Sequence, residues 1–523
     1  MLPQLLPPLF LPYASYYHYT YYTMDIGPFG IAKVVIPNLP LIIKTTILAL
    51  LSRSPNASVQ DVRTEVIVVT ARAMLSTPAS ILKSQIQSQI DWGVWGPTWI
   101  AKYTIPKPQD DSFGDTKAHS VRNALVKAIE ELGGEDNAFD LPEIVDVQAE
   151  WTGYRNGVSV FARRPDLPEH EQYNMMMREV APNSPTILYF HGGAFCLMDP
   201  VTHRPTTSAM AQQTSGRCFS VRYRLAPQNP FPSALLDAFI AYLSLVSPPP
   251  DSFHEPVPPE KIIFSGDSSG AGLATSLLLL LATLNRMGIN FVRFHDVDVP
   301  INATDIAGLA ITSPWLDISR SLPSVTRNIR YDVIAPPSSD YTIPHPNFPR
   351  DSVWPARLPR VETYCESSMV THPLVSPLAA IKEHWHGVAP VYVSVGWESM
   401  QDEAEIFARR VYEAGGTVIF DGYVGMPHCF AMMPWNEAGR SAFANCAAFC
   451  VEAVKGGTMK KSFGTWTNKD GKVESIEMEK LGMSNNERKM DLDDVLVNEL
   501  LERQKVWRVD LEKKLRNCEK SRH

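Results

Sequence analysis

The stretch IIFSGDSSGAGLA, residues 262 to 274, constrains the fold of this chain more than any other. An apolar, strand-forming run passes without a linker into Gly266-Asp267-Ser268-Ser269-Gly270, and from there into the helix-forming GLATSLLLLLATL. Glycines two positions to either side of a serine permit a strand-to-helix turn tight enough to lift the Ser268 hydroxyl above the strand end. The following helix supplies backbone N–H groups near any negative charge that develops there. A bare G-x-S-x-G is common by chance and then marks only a glycine-rich turn. Its position after a buried strand and before a helix is what identifies Ser268 as a candidate nucleophile.

Strand-like and helix-like segments alternate around this turn from about residue 146 to 455. The strand candidates are TILYF (186 to 190), CFSVRY (218 to 223), KIIFSG (261 to 266), GLAITS (308 to 313), VYVSVG (391 to 396) and TVIFDGY (417 to 423). The alternation predicts an α/β fold with a mostly parallel, doubly wound sheet. IVDVQAEWTGY and VSVFARR resemble two further strands around Asn156-Gly157, and residues 60 to 135 read as helical. Residues 319 to 371 are too long and too proline-rich for a simple crossover, and so read as an insertion.

ILYFHGGAF places His191-Gly192-Gly193-Ala194 at the end of a strand. A tetrahedral oxyanion needs several donors aimed at one point, and residues without side chains let backbone amides approach a substrate. Gly192, Gly193, Ala194 and Ser269 are therefore the expected oxyanion donors, with the His191 ring bracing the loop. A nucleophilic serine also needs a base oriented by an acid, in the chain order Ser, Asp/Glu, His. His428 sits on a loop after the last core strand, where the base is expected. Glu398 comes first off the VYVSVG strand and is the expected acid. Asp402 is the alternative, although an acidic residue in a first helical turn is already explained by the helix dipole.

Several spaced stretches, HGGAF, YRLAPQNPFPSALLDA, GDSSGAGLA, SPWLD, HPLVSPLA, DEAEIFARRVYEAG and the His428 loop, give residues 186 to 435 a family likeness. This region resembles the hormone-sensitive-lipase-like branch of the α/β-hydrolases, the fold-3 carboxylesterases, nearest in character to fungal steryl acetyl hydrolases and related fungal esterases. Against that family's usual forms, Ala194 stands for a third glycine, Ser269 for an alanine, Glu398 for an aspartate and Cys429 for a glycine. The resemblance implies a helical N-terminal cap and a serine esterase; the apolar N-terminal segment and the cap favour a small-molecule hydrophobic ester, such as a lipid, an acetylated sterol or a lipophilic natural product, over a water-soluble one. No metal or other cofactor is expected. The same triad also serves biosynthetic enzymes that cyclise, transfer acyl groups or dehydrate, and the fold hosts non-catalytic binding proteins. Retention of both Ser268 and His428 argues against the last of these.

The charge balance of 48 Lys+Arg against 56 Asp+Glu, net −8, offers no basic stripe and argues against a nucleic-acid partner. Seven cysteines without C-x-x-C spacing read as reduced core residues. Residues 1 to 23 are proline-broken and carry no Lys or Arg, so they read as a disordered extension. Within 24 to 55, the run VVIPNLPLIIKTTILALL approaches the length of a membrane span but contains Lys44 and two prolines. A membrane surface is a candidate partner, at the endoplasmic reticulum first and with the cytoplasm as the alternative location. Residues 56 to 145 are assigned to the cap and 146 to 457 to the catalytic domain. From 458 to 487 the chain shows no apolar period and reads as a linker. Leu492, Leu496, Leu500, Trp507, Leu511 and Leu515 then mark an amphipathic helix, solvated and outside the catalytic domain. Composition leaves the oligomeric state open.

Overall fold

Segments with buried apolar runs become central strands covered on both faces, and among the described residues the strands assemble into a ten-stranded sheet and a small three-stranded one. The structure, a computed structural model, describes residues 28–520 apart from 76–78, 109–118, 134–137, 335–350, 356–358, 434, 457–458, 460 and 485–489. The 1 to 23 extension lies outside the described residues.

The N-terminal region forms α1 (Pro28–Leu50), α2 (Val62–Leu75), α3 (Ile81–Ser88), β1 (Thr98–Ile105), β2 (His119–Ser120), α4 (Val121–Gly133) and β3 (Val147–Tyr154). Next come α5 (Glu169–Met177), β4 (Thr186–Phe190), α6 (Pro200–Thr214), β5 (Arg217–Arg222), α7 (Ser233–Val246), β6 (Ile262–Asp267) and α8 (Ser268–Arg286). A small hairpin, β7 (Phe291–Phe294) and β8 (Val297–Pro300), precedes β9 (Gly308–Thr312) and α9 (Ser324–Arg327). The chain continues with β10 (Val391–Gly396), α10 (Gln401–Glu413), β11 (Val418–Tyr423), α11 (Glu437–Ala453), β12 (Phe463–Thr467), β13 (Val473–Ile476) and α12 (Asp494–Lys520).

The sheet order is β1-β3-β5-β4-β6-β9-β10-β11-β12-β13. Strands β5 through β12 run parallel, while β1, β3 and β13 are antiparallel to their neighbours. The family of β4, β5, β6, β9, β10 and β11 expected from the sequence is present, with ends shifted by at most one residue. Helix α8, buried from Ser268 to Leu284, runs through the middle of the core. Among the described residues it alone is long and apolar enough to cross a membrane, and 94% of that window is buried in the protein.

Four expectations are corrected. Residues 98 to 105, inside the stretch read as helical and assigned to the cap, are β1, paired antiparallel with β3 along its whole length. VSVFARR forms no strand with β3, because both edges of β3 are already taken by β1 and β5. Val160 and Phe161 of that segment are exposed. Residues 458 to 487 hold β12 and β13, which extend the sheet past β11, together with the buried Met478 and Leu481. Finally, α12 is docked on the core: Val497, Leu501, Arg508 and Glu512 are buried, and Trp507 faces outward. The sheet and the helices covering it thus run from residue 98 to the C-terminal helix, not from 146 to 457.

Candidate active site

Strand β6 delivers Ser268 into a left-handed turn, φ +52°. That conformation costs a residue bearing a Cβ roughly 1–2 kcal/mol, and the packing around it must hold it in place. The glycines of the motif explain why the turn fits. A Cβ at Gly270 would lie 2.1 Å from the Phe190 carbonyl oxygen and 2.5 Å from that of His191, and one at Gly266 would lie 2.6 Å from the Phe190 oxygen. The end of β4 therefore rests directly against the elbow, and the His191-Gly192-Gly193-Ala194 loop begins beside the serine.

His428 Nε2 lies 2.9 Å from Ser268 Oγ. Its Nδ1 is 3.5 Å from Glu398 Oε1, an ion-pair distance and longer than a well-formed hydrogen bond. Both side chains are buried. Glu398 Oε2 accepts from Ser313 Oγ at 2.9 Å, and Ser313 Oγ in turn accepts the Cys429 N–H at 2.9 Å. Burial raises the Glu398 pKa above the ordinary carboxyl value, against the pull of His428. For His428, burial opposes the charged ring, but Cys429 and Glu398 outweigh it and hold its pKa well above 6.5. The Cys429 thiol, pushed up to about 11 by burial, is neutral at pH 7, so there Glu398 carries the effect. Asp402 is elsewhere engaged: its carboxylate pairs with Arg327 at 2.6 Å and accepts the Ser324 N–H at 2.8 Å.

The expected oxyanion donors divide. The Gly192 N–H is not available, because it donates to Asp267 Oδ1 at 3.2 Å, which corrects its assignment. The amides of Gly193, Ala194 and Ser269 have no partner among the described residues. Gly193 has φ +112°, and a Cβ there would sit 2.3 Å from the Leu197 carbonyl oxygen. Ala194 and Phe195 are also left-handed, at φ +55° and +59°. His191 braces the loop: its Nδ1 meets the Gly192 carbonyl at 2.7 Å, and its ring stacks on Tyr223 at 4.3 Å. Burial lowers its pKa to about 3, so the ring is neutral.

A family model described as an alpha/beta hydrolase fold matches residues 187–432. The chain carries the α/β-hydrolase fold. An acetyl-hydrolase of Streptomyces hygroscopicus is 27% identical over 271 residues, 51% of this chain and 76% of the relative. An esterase of Acinetobacter venetianus is 29% identical over 268 residues, 51% of this chain and 74% of the relative. A crystal structure of an esterase from the bacterial hormone-sensitive lipase family aligns at 21% identity and TM-score 0.43, over 80% of this chain and 98% of its own.

On this α/β-hydrolase fold, two buried carboxylates that the sequence reading passed over organise the site. Asp267 does not cap α8; its Oδ1 accepts from Tyr189 Oη at 2.7 Å and from Gly192 N at 3.2 Å, and His203 Nε2 lies 3.2 Å from the same oxygen. Its place immediately before Ser268 is the signal that marked it. Asp332, inside the proline-rich insertion, joins the turn after Glu398 to the His428 loop. No motif announces it.

The N-terminal helices reach the site from two sides. From α2, Arg72 donates to the carbonyls of Ile329 and Asp332, next to the His428 loop. From α3, Ser88 Oγ accepts the Met198 N–H at 3.0 Å, just after the 191–194 loop. Among the described residues no cluster of three His, Cys, Asp or Glu side chains is arranged to hold a metal ion. A cavity of about 880 Å³ opens between β11, β12 and α11, lined by Asp421, Tyr423, Phe449 and Thr465, and none of Ser268, Glu398 or His428 borders it.

Proposed function

We propose that the chain is a serine carboxylic-ester hydrolase in which Ser268 is the nucleophile, His428 the base and Glu398 the acid that orients it. The observation that carries this reading is the 2.9 Å contact between His428 Nε2 and Ser268 Oγ on a strained turn. Ser268 Oγ attacks the ester carbonyl carbon while its proton passes to Nε2, and the oxyanion is received by the amides of Gly193, Ala194 and Ser269. Collapse breaks the bond to the alkoxy oxygen, which leaves as the alcohol with the proton from His428. Water, deprotonated by the same ring, then releases the carboxylic acid and restores Ser268. Glu398 holds the ring and stabilises its cationic form.

The substrate class is a hydrophobic ester: a lipid, an acetylated sterol or a lipophilic natural product. Its support is the apolar surface of α1, where Ile36, Ile43, Ile47 and Leu50 are all exposed, beside α2, which reaches the base loop. Such a surface suits a substrate delivered from a membrane.

Fluorophosphonate labelling and p-nitrophenyl ester turnover test the reading. Ser268→Ala is expected to abolish both in a folded protein; labelling that persists at full strength would overturn it. Release of alcohol and acid in equal amounts marks hydrolysis, whereas a product that keeps both parts marks acyl transfer or cyclisation at the same serine.

A further inference from the structure

Helix α12 lies beyond the family match, which ends at residue 432, yet two of its charged side chains are buried. Arg508 is 3% exposed and Glu512 6%. Charges taken out of water need close partners. Arg508 Nε donates to Glu362 at 2.6 Å, and its Nη2 to the Ser319 carbonyl at 2.9 Å. Glu512 Oε2 accepts the Ser367 hydroxyl at 2.6 Å and the N–H groups of Val361 and Ser367 at 3.2 and 3.3 Å. One turn on, Arg516 Nε donates to the Pro359 carbonyl at 3.1 Å, and the same guanidinium pairs with Glu366. Apart from Ser319, all of these partners belong to one short strap, residues 359 to 367.

The other side of that strap presses on the turn bearing the proposed oxyanion donors. The Tyr364 ring stacks on Phe195, centroids 3.8 Å apart and planes 13° apart. Thr363 Oγ1 is 3.0 Å from Cys196 Sγ, and the Tyr364 carbonyl accepts the Phe231 N–H at 2.7 Å. Phe195 and Cys196 follow directly on Ala194. Two consecutive left-handed residues, Ala194 and Phe195, persist only where the surroundings over-determine them. The strap supplies that constraint, and α12 holds the strap.

We propose that α12 is a positioning helix for the reaction: Arg508 and Glu512 fix residues 359–367, Tyr364 and Thr363 thereby fix Phe195 and Cys196, and the Ala194 amide is held on its target. The inference rests on the reading of Ser268 as nucleophile and of the Ala194 amide as an oxyanion donor. Arg508 and Glu512 act through other residues and are positioning residues in that sense.

The test uses the full chain with Arg508→Ala, Arg508→Lys and Glu512→Gln. Asp494→Asn serves as the control, since it breaks the 2.8 Å pair with Arg410 at the start of the same helix, away from the strap. Misplacing a group near reacting atoms costs about tenfold to a hundredfold in rate. Arg508→Ala and Glu512→Gln are therefore expected to lower kcat by that factor with KM within about twofold, Arg508→Lys to restore part of it, and Asp494→Asn to lower Tm without lowering kcat. Should Arg508→Ala fail to fold, Glu512→Gln decides. Wild-type kcat in the folded strap variants, or an equal loss in Asp494→Asn, would overturn the inference. Hydrogen exchange separates this failure from failure of the hydrolase reading. Even in a chain that turns over no ester, the amides of residues 193–197 are expected to exchange faster in Arg508→Ala and Glu512→Gln than in Asp494→Asn, and equal rates would sink the positioning role.

Discussion

Asp332 accepts the backbone N–H of His428 at 3.1 Å through one carboxylate oxygen. Through the other it accepts the N–H and the hydroxyl of Ser399, at 2.7 and 2.6 Å. A single buried carboxylate thus fixes the spacing between the loop carrying the proposed base and the turn carrying the proposed acid. Asp332→Ala leaves four donors without an acceptor, the Ile334 N–H included, each worth about 1–3 kcal/mol when buried. We expect a large fall in Tm together with a fall in kcat, and smaller losses for Asp332→Asn, which keeps one acceptor oxygen. Parallel thermal melts and ester kinetics check this, and an unchanged kcat in a folded Asp332→Ala would remove the residue from the site's framework.

Ending the chain after Gly457 is expected to prevent folding. Removal of β12 exposes the edge of β11. It also strips two buried arginines of α10: Arg409 donates to the carbonyls of Leu481 and Leu492, both at 2.7 Å, and Arg410 pairs with Asp494. Loss of these contacts together with the burial of Met478, Leu481, Leu492, Val497 and Leu501 costs several kcal/mol, comparable with the stability of a whole domain. The truncated chain should be recovered as aggregate; a soluble, cooperatively melting product with full activity would restore the boundary at 457.

The contrast between what the sequence disclosed and what it hid follows the range of the interactions. Strands β4 and β10 were legible to the residue because both faces are buried and the signal is local. Ser268, His428 and Glu398 could be put forward as neighbours because chain order on this fold restricts where each can stand, and the three side chains do lie together. Strand β1 was not, since its pairing with β3 is made with residues about fifty positions away and its own composition does not declare a strand. The β12–β13 hairpin carried a turn signal, Asp470-Gly471, but its Lys and Glu residues looked like a solvated linker, as they do on an edge hairpin. Which amides of the 191–194 loop stay without a partner depends on Asp267 taking one of them, a tertiary contact that no spacing reveals.

Residues Ile36, Ile43, Ile47 and Leu50 recur at helical spacing and lie 51–67% exposed on α1, while Thr45 and Ala49 are buried. Each exposed side chain is worth up to about 1.5–3 kcal/mol if fully buried, so this face can hold the protein to a bilayer surface. Flotation with phospholipid vesicles should carry the intact protein upward, and the double substitution Ile43→Asp, Ile47→Asp should leave it at the bottom. Turnover of a short soluble ester should be the same in both. Wild-type protein that never floats would argue against a membrane partner.

The acid is assigned by pairing two substitutions with a pH profile. The base must be neutral to accept the Ser268 proton, and its pKa in the folded protein is raised well above 6.5, so kcat/KM is expected to climb with pH through a limb above that value. Glu398→Gln removes the carboxylate that favours the imidazolium. The limb should move to lower pH, while kcat on the plateau falls by roughly 10²–10⁴ because the ring loses its orientation and its cation loses stabilisation. Asp402→Asn breaks the pair with Arg327 and weakens the acceptor of the Ser324 N–H, both remote from the ring, so Tm should drop and the limb should stay in place. If the Asp402 variant shifts the limb and the Glu398 variant does not, the roles are exchanged.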